Sequence, residues 1–254
     1  MSSTGFETIA DWWDSAVGEV GDSFHRTFSR PALDGVLGDV AGRRVLDLGC
    51  GNGASTRPLA RRGAWVVGAD VSPTLIRHAR AYERKEPLGA LYVVGDAAAL
   101  PFPDAGFDRV VADMVLMDLE DGEAALREVG RVLRPGGRFV TTLFHPCFQI
   151  TGGSSWLIED TDTETSISRR VWRYLEPFAE PGVTKSGQPQ PHLYYHRPLG
   201  WYAAQLQAGG MLIDTLDEPV PGDDFQREHP DLHRRAARVP LLLVLGAVKV
   251  DIIS

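Results

Sequence analysis

The chain is short of several things at once. It has only two cysteines in 254 residues, Cys50 and Cys147. That is no disulfide framework, and reduced thiols are the expected state. No Cys/His cluster falls at metal-site spacing, so no metal is expected. Basic charge is not in excess: 26 Lys and Arg stand against 34 Asp and Glu, a formal net charge of -8. Such a surface gives nucleic acid or an anionic membrane little to meet, so neither is expected as a partner. Long apolar runs are missing too. The longest, 239–248, is interrupted by Pro240 and Gly246 and followed by Lys249, whereas a bilayer span takes roughly 20 residues. The opening stretch, Met1 to Trp13, has no basic segment leading into an apolar one. No export signal is expected, and the reading is a soluble cytoplasmic protein. There is no internal repeat.

What remains is ordinary globular composition, 43% hydrophobic and 24% charged, enough for a sizeable core. From Arg43 to Thr142 strand-like and helix-like stretches alternate, the mark of an open, mostly parallel sheet with helices on both faces. Strands are expected at 44–48, 64–69, 91–94, 107–112 and 138–144. Helices are expected at 54–62, at 72–82 with Ser72 as cap and Pro73 behind it, and at 123–133, stopped by Pro135-Gly136-Gly137. A further helix at 198–208 and strands at 211–217 and 241–251 complete a doubly wound, Rossmann-like sheet of seven strands, the last antiparallel. The chain is read as one domain: a helical cap over 1–40, a cofactor-binding core over 41–145, a lid or substrate insertion over 146–197, and a C-terminal helix and strand pair over 198–254. The insertion is rich in Gly, Ser, Thr and Pro with scattered aromatics, and its periodicity is weak.

The segment that carries chemistry is Val45-Leu46-Asp47-Leu48-Gly49-Cys50-Gly51-Asn52-Gly53, a strand running into glycines and then a helix. Glycines permit the tight turn and a close ligand, and the helix start offers free amide donors. Gly49, Gly51 and Ala54 also satisfy the dinucleotide fingerprint, so an NAD-dependent oxidoreductase remains open on this motif. Asp70 lies 17 residues past Gly53 at a strand end, where an acid can accept both hydroxyls of a ribose. Asp96 closes the third strand at the same edge. Asp47, just before the glycines, welcomes an ammonium group and repels a pyrophosphate, which counts against NAD.

Asp47-Leu48-Gly49-Cys50-Gly51-Asn52-Gly53, Gly68-Ala69-Asp70-Val71-Ser72, Asp96-Ala97, Phe107-Asp108 and Arg131-Val132-Leu133-Arg134-Pro135-Gly136-Gly137 together resemble the ordered motifs of class I S-adenosylmethionine (SAM)-dependent methyltransferases, of the UbiE and methyltransferase-11 kind. The resemblance covers roughly 42–144. It implies a SAM site in which the glycine loop (Gly49, Cys50, Gly51) holds the methionine portion, Asp70 with Val71 the ribose, and Asp96 with Ala97 the adenine. Backbone at Asp113 would meet the methionine ammonium, and Met117 would lie near the adenosine. Flanking pieces, Trp12-Trp13-Asp14, Gly21-Asp22, His25-Arg26, Phe144-His145-Pro146 and Tyr195-His196-Arg197-Pro198, are similar to a branch acting on small molecules.

The expected reaction is methyl transfer to oxygen, nitrogen or carbon of a small organic acceptor. A SAM-binding catalyst of another class, such as a cyclase, and a non-catalytic binding module are the alternatives. Methyl transfer needs alignment and, for many acceptors, a base. His145, at the carboxyl edge of the sheet, is a candidate base, another substrate contact, or a loop cap. His196 is a candidate for the same cavity or a helix cap. Arg26 is a candidate for the methionine carboxylate or a surface charge. Tyr194, Tyr195, Trp156 and Trp172 line an acceptor pocket or form the underside of the lid.

Overall fold

A computed structural model describes residues 5–160 and 165–250. The chain opens with short helices α1 (Gly5–Thr8) and α2 (Ala10–Val17), then a π-helical turn His25–Ser29 that passes into α3 (Arg30–Leu37). The core follows as β1 (Arg44–Leu48), α4 (Thr56–Arg61), β2 (Trp65–Asp70), α5 (Pro73–Lys85), β3 (Leu91–Val94), β4 (Phe107–Asp113), a 3-10 turn Leu116–Asp118, α6 (Gly122–Val132) and β5 (Leu133–Phe144). Then come β6 (Ser154–Asp160), β7 (Thr165–Val171), β8 (Phe178–Gly182), β9 (His192–His196), α7 (Leu199–Ala208), β10 (Met211–Asp217), α8 (Asp223–Glu228), α9 (Pro230–Ala236) and β11 (Leu242–Lys249).

The seven-stranded sheet has the order β10-β11-β5-β4-β1-β2-β3. β1 through β5 pair in parallel, and β11 runs antiparallel between β5 and β10. This is the Rossmann-like fold expected. Alternate strand residues feed the two faces, as the two-residue period dictates. Val45, Val111, Val140 and Val244 pack with Leu33, Leu37, Leu59 and Ile76 on one side. Leu46, Val110, Phe139 and Leu245 pack with Leu126, Val129, Tyr202 and Leu206 on the other. β1, β2 and β3 step one way from the centre, and β4 and β5 step the other. The order therefore reverses between β1 and β4, and crevices at such a reversal are where open α/β sheets bind ligands.

Three expectations need correction. Pro135-Gly136-Gly137 does not follow α6 as a separate stop. The helix ends at Val132, and the chain enters β5 at once, with Gly136 at φ 70° and a register shift between Phe107 and Arg109 absorbing the bend. The insertion is not irregular, for its described residues form two antiparallel hairpins, β6–β7 and β8–β9. Helices α8 and α9 fill a stretch for which no element was expected. The Ser72 cap is as expected, its hydroxyl accepting from Leu75 N at 3.1 Å. Asp251, the expected end of the last strand, lies outside the described residues.

Candidate functional site

The loop after β1 is built by glycines that cannot be replaced cheaply. Gly49 has φ 67°, and a Cβ there would lie 2.6 Å from Val115 Cγ1, so the segment after β4 presses directly on the loop. Gly51, at φ 54°, has nothing within 4 Å of its Cβ direction. Open space therefore stands above the loop at that residue. Cys50 turns inward against Gly68, and burial beside Asp70 and Asp47 pushes its thiol well up. A thiol kept protonated in this way is not a nucleophile.

Three strand ends bring carboxylates to this edge. Asp70, ending β2, accepts from Gly51 N at 2.9 Å with Oδ2 and from Ser72 N at 2.9 Å with Oδ1. Each oxygen retains a lone pair. Burial raises its pKa and the two amide donors oppose that. Val71 beside it is an exposed aliphatic, 41% accessible. Asp96 folds back through Oδ1 to Ala98 N at 2.9 Å and is exposed, while Ala97 leans on the core. Asp113, ending β4, accepts from Ser55 Oγ at 3.0 Å and from Thr142 Oγ1 at 2.6 Å, which ties the fourth strand to the start of α4. Met114 then adopts φ 60°, uncommon for a non-glycine residue. Its N–H is held by Thr142 O at 3.0 Å and Oγ1 at 3.1 Å. Met117 is buried in the core beneath this bend.

Asp47 does not face this crevice. It is 1% exposed, accepts from Thr56 Oγ1 at 2.5 Å, and burial pushes its pKa up to about 7. Its work is under the loop, anchoring α4, and its expected contact with a ligand ammonium is corrected accordingly. Arg26 is also turned elsewhere, to Glu228 at 3.6 Å. Arg30 lines a small cavity with Ser55 and Asp113, donates to Val20 O at 3.2 Å and carries a buried Nε with no partner among the described residues.

Both candidate histidines are engaged. His145 Nδ1 accepts from Cys147 N at 3.2 Å, so its proton is on Nε2, which meets Glu218 at 2.7 Å. No lone pair is left for a substrate proton. His196 donates Nε2–H to Tyr174 O at 2.7 Å and is sealed against Phe178, 1% exposed. The expectation that either serves as base is corrected, since both cap loops. Of the aromatics, Tyr194 is core, Trp156 lies under Arg169, Tyr195 lies under Arg197, and Trp172 points outward at 52% exposure.

Several residues here escaped sequence reasoning. Asn52 donates to Asp14 Oδ1 at 2.8 Å and to Gly18 O at 3.0 Å, clamping the N-terminal segment onto the glycine loop. Arg57, fully buried, donates to Asn52 O at 2.9 Å and to Glu19 O. Glu7 of α1 bonds Ser72 Oγ, and Thr74 Oγ1 at 2.9 Å. Asp118 and His192 meet at 3.4 Å under the ring of Phe6. Asp22 holds His25 and is met by Lys185 of the insertion. The polar types at these positions were visible, but most of their partners, such as Asp14 for Asn52, Ser72 for Glu7 and Lys185 for Asp22, lie 30 or more residues away and were not.

Residues 46–141 match the family model described as a methyltransferase domain. A demethylmenaquinone methyltransferase of Beutenbergia cavernae is 37% identical over 211 residues, covering 83% of this chain and 80% of that protein. Its counterpart from Tropheryma whipplei is 42% identical over 119 residues, covering 46% of this chain and 48% of that protein. The chain thus spans about half the length of the first curated relatives it matches. A SAM-dependent methyltransferase structure from Mesorhizobium loti superposes with a TM-score of 0.73 at 28% identity, covering 91% of this chain and all of that one. With the glycine loop, the strand-end carboxylates and these relationships in place, the chain belongs to the methyltransferase-domain family of SAM-dependent enzymes.

Proposed function

We propose that the protein transfers the methyl group of SAM to a small organic acceptor, with an aromatic quinol as the leading class. The acceptor class is suggested by the demethylmenaquinone methyltransferase of Beutenbergia cavernae, similar over most of both chains. The observation that carries the reading is the pair of carboxylates, Asp70 and Asp113, flanking a glycine loop whose face at Gly51 is open.

The residues suit the cofactor. Asp70 has lone pairs left for ribose hydroxyls, the exposed Val71 offers an apolar bed for adenine, and Asp96 stands at the next strand end. Asp113 and the backbone at Met114, with φ 60°, would meet the methionine ammonium. SAM supplies an electrophilic methyl on a cationic sulfur. What the chain contributes is alignment and water exclusion. The N-terminal segment, latched by Asn52–Asp14 and Glu7–Ser72, roofs the loop.

Calorimetric titration with SAM, S-adenosylhomocysteine and NAD tests this. Micromolar binding of the first two and none of NAD is expected. Asp70→Ala should weaken SAM binding by about 2–3 kcal/mol, the worth of a charge-assisted contact. Tight NAD binding, or unchanged SAM affinity in the variant, contradicts the site.

A further inference from the structure

We propose that His25, held by Asp22 on the N-terminal segment, is the base that removes the proton from the methyl acceptor. The inference rests on the methyltransferase reading above.

His25 opens the π-helical turn after Gly21-Asp22. The Asp22 carboxylate takes its main-chain N–H at 2.8 Å and its Nδ1 at 2.7 Å, both on Oδ1. An ionised carboxylate only accepts, so the ring proton is on Nδ1 and the lone pair is on Nε2. Lys185 of the insertion engages the other oxygen, Oδ2, and Asp22 is thereby fixed from both sides. Among the described residues Nε2 has no hydrogen-bond partner, and the side chain is 20% exposed, recessed but reachable. This distinguishes His25 from His145, His196 and His192, whose ring nitrogens are engaged or sealed.

Its position fits the role. Phe24, the residue before it, packs on Phe144 at 6.0 Å between ring centres and shares a cluster with Met114, so the turn that carries His25 lies over the ends of β4 and β5. Asp113 is bonded to Ser55 at the start of α4, just past the glycine loop. Gly21 lets the segment pack so closely that a Cβ there would meet Arg30 Nη2 at 2.7 Å and His25 Cβ at 3.5 Å. Asp–His pairs of this form fix the tautomer and aim of an imidazole and stabilise the imidazolium that forms when it takes a proton.

In the step, the acceptor's oxygen or carbon bonds to the methyl carbon, and the carbon–sulfur electron pair stays on sulfur. The acceptor's proton passes to His25 Nε2 and then to water. The charge of the sulfonium leaves as that proton. The acceptor must therefore carry an ionisable proton, as a phenol or quinol does.

The charged groups around His25 are Asp22 and Arg30 on its own segment, Lys185 of the insertion, which is bonded to Asp22, and Asp113 of β4 within electrostatic reach. Glu228 and His229, bonded to Ser23, lie beside the turn. Burial lowers its pKa and so does Arg30, while Asp113 opposes them. The ring is therefore neutral at neutral pH, and the acid limb of the rate profile should fall below the ordinary histidine value.

The test has two arms. Diethylpyrocarbonate acylates an accessible imidazole lone pair. Residue-mapped mass spectrometry should show His25 modified and His145 and His196 spared, with His25 protected by S-adenosylhomocysteine. In the second arm, a water-soluble demethylated naphthoquinol is the probe. His25→Gln should keep SAM affinity within about two-fold and lose about a hundred-fold in turnover, with partial rescue by added imidazole. Asp22→Asn should move the acid limb to lower pH. Full turnover in His25→Gln, or acylation of His25 unaffected by S-adenosylhomocysteine, overturns the proposal. Failure of the wild type on the probe, with His25 still protected, sinks the quinol reading and leaves the base in place. Failure to bind SAM at all sinks the methyltransferase site itself, and the assigned base goes with it.

Discussion

Asp47 shows how one buried group sets a pH dependence. Its carboxyl sits under the glycine loop with one hydroxyl donor, Thr56, and a pKa pushed up to about 7 by burial. In the unfolded chain it titrates near the ordinary aspartate value. Between pH 4 and 7 the folded state keeps a proton that the unfolded state has lost. Stability therefore falls as pH rises through that window and levels above it. A difference of about three pH units is worth roughly 4 kcal/mol at most. Asp47→Asn keeps an acceptor for Thr56 and removes the titration. Urea melts at pH 5 and pH 8 should show the variant gaining most at pH 8. Asp34, Asp70 and Asp118 are also raised, so the slope of the wild type minus that of the variant isolates this residue. An identical slope in both proteins would rule out the buried, protonated state.

At the scale of elements, the tightest constraint outside the site is the approach of α6 to the end of α7. A Cβ on Gly130 would lie 2.1 Å from the carbonyl oxygen of Gly209. Backbone cannot yield as a flexible side chain does, so α7 must shift to admit it. Gly130→Ala should cost about 1–3 kcal/mol in a reversible urea melt despite its better helix propensity. A stabilised variant would show that α7 is free to move. The hairpins explain a failure of sequence reading at this scale. The described residues of β7 are nowhere fully buried, and its burial pattern alternates only between exposed and half-buried. With Ser166, Ser168, Arg169 and Arg170 in the strand, no apolar face emerges for a two-residue period to reveal. β4, with Val110, Val111 and Ala112 buried, was plain.

For the whole molecule, the N-terminal segment and the insertion meet over the sheet's carboxyl edge. Lys185 reaches Asp22, Phe6 covers His192 at 4.6 Å between ring centres, and Asn52 holds Asp14. A ligand that fills the crevice should favour this closed arrangement over open ones by mass action. Saturating S-adenosylhomocysteine should slow amide hydrogen exchange in α2 and across His25–Leu37, and leave the far strand Met211–Asp217 unchanged. Asn52→Ala should blunt the protection of α2. Equal slowing everywhere would mean global stabilisation without closure.

The sequence by itself determined the seven-strand frame and the strand-end acids, because those signals are local. Hydrophobic period marks a strand, a glycine run marks the turn after it, and an acid at the strand end follows by count. Asp70, Asp96 and Asp113 all stand at the sheet edge where their motifs put them. Tertiary structure alone decided which side chains are free to act. Asp47 is sunk beneath the loop, His145 and His196 are occupied, Arg26 turns to Glu228, and His25 keeps an open Nε2. Three of these outcomes depend on a partner from a distant segment, Glu218 for His145, Tyr174 for His196 and Glu228 for Arg26, and packing rather than local propensity brings those partners together.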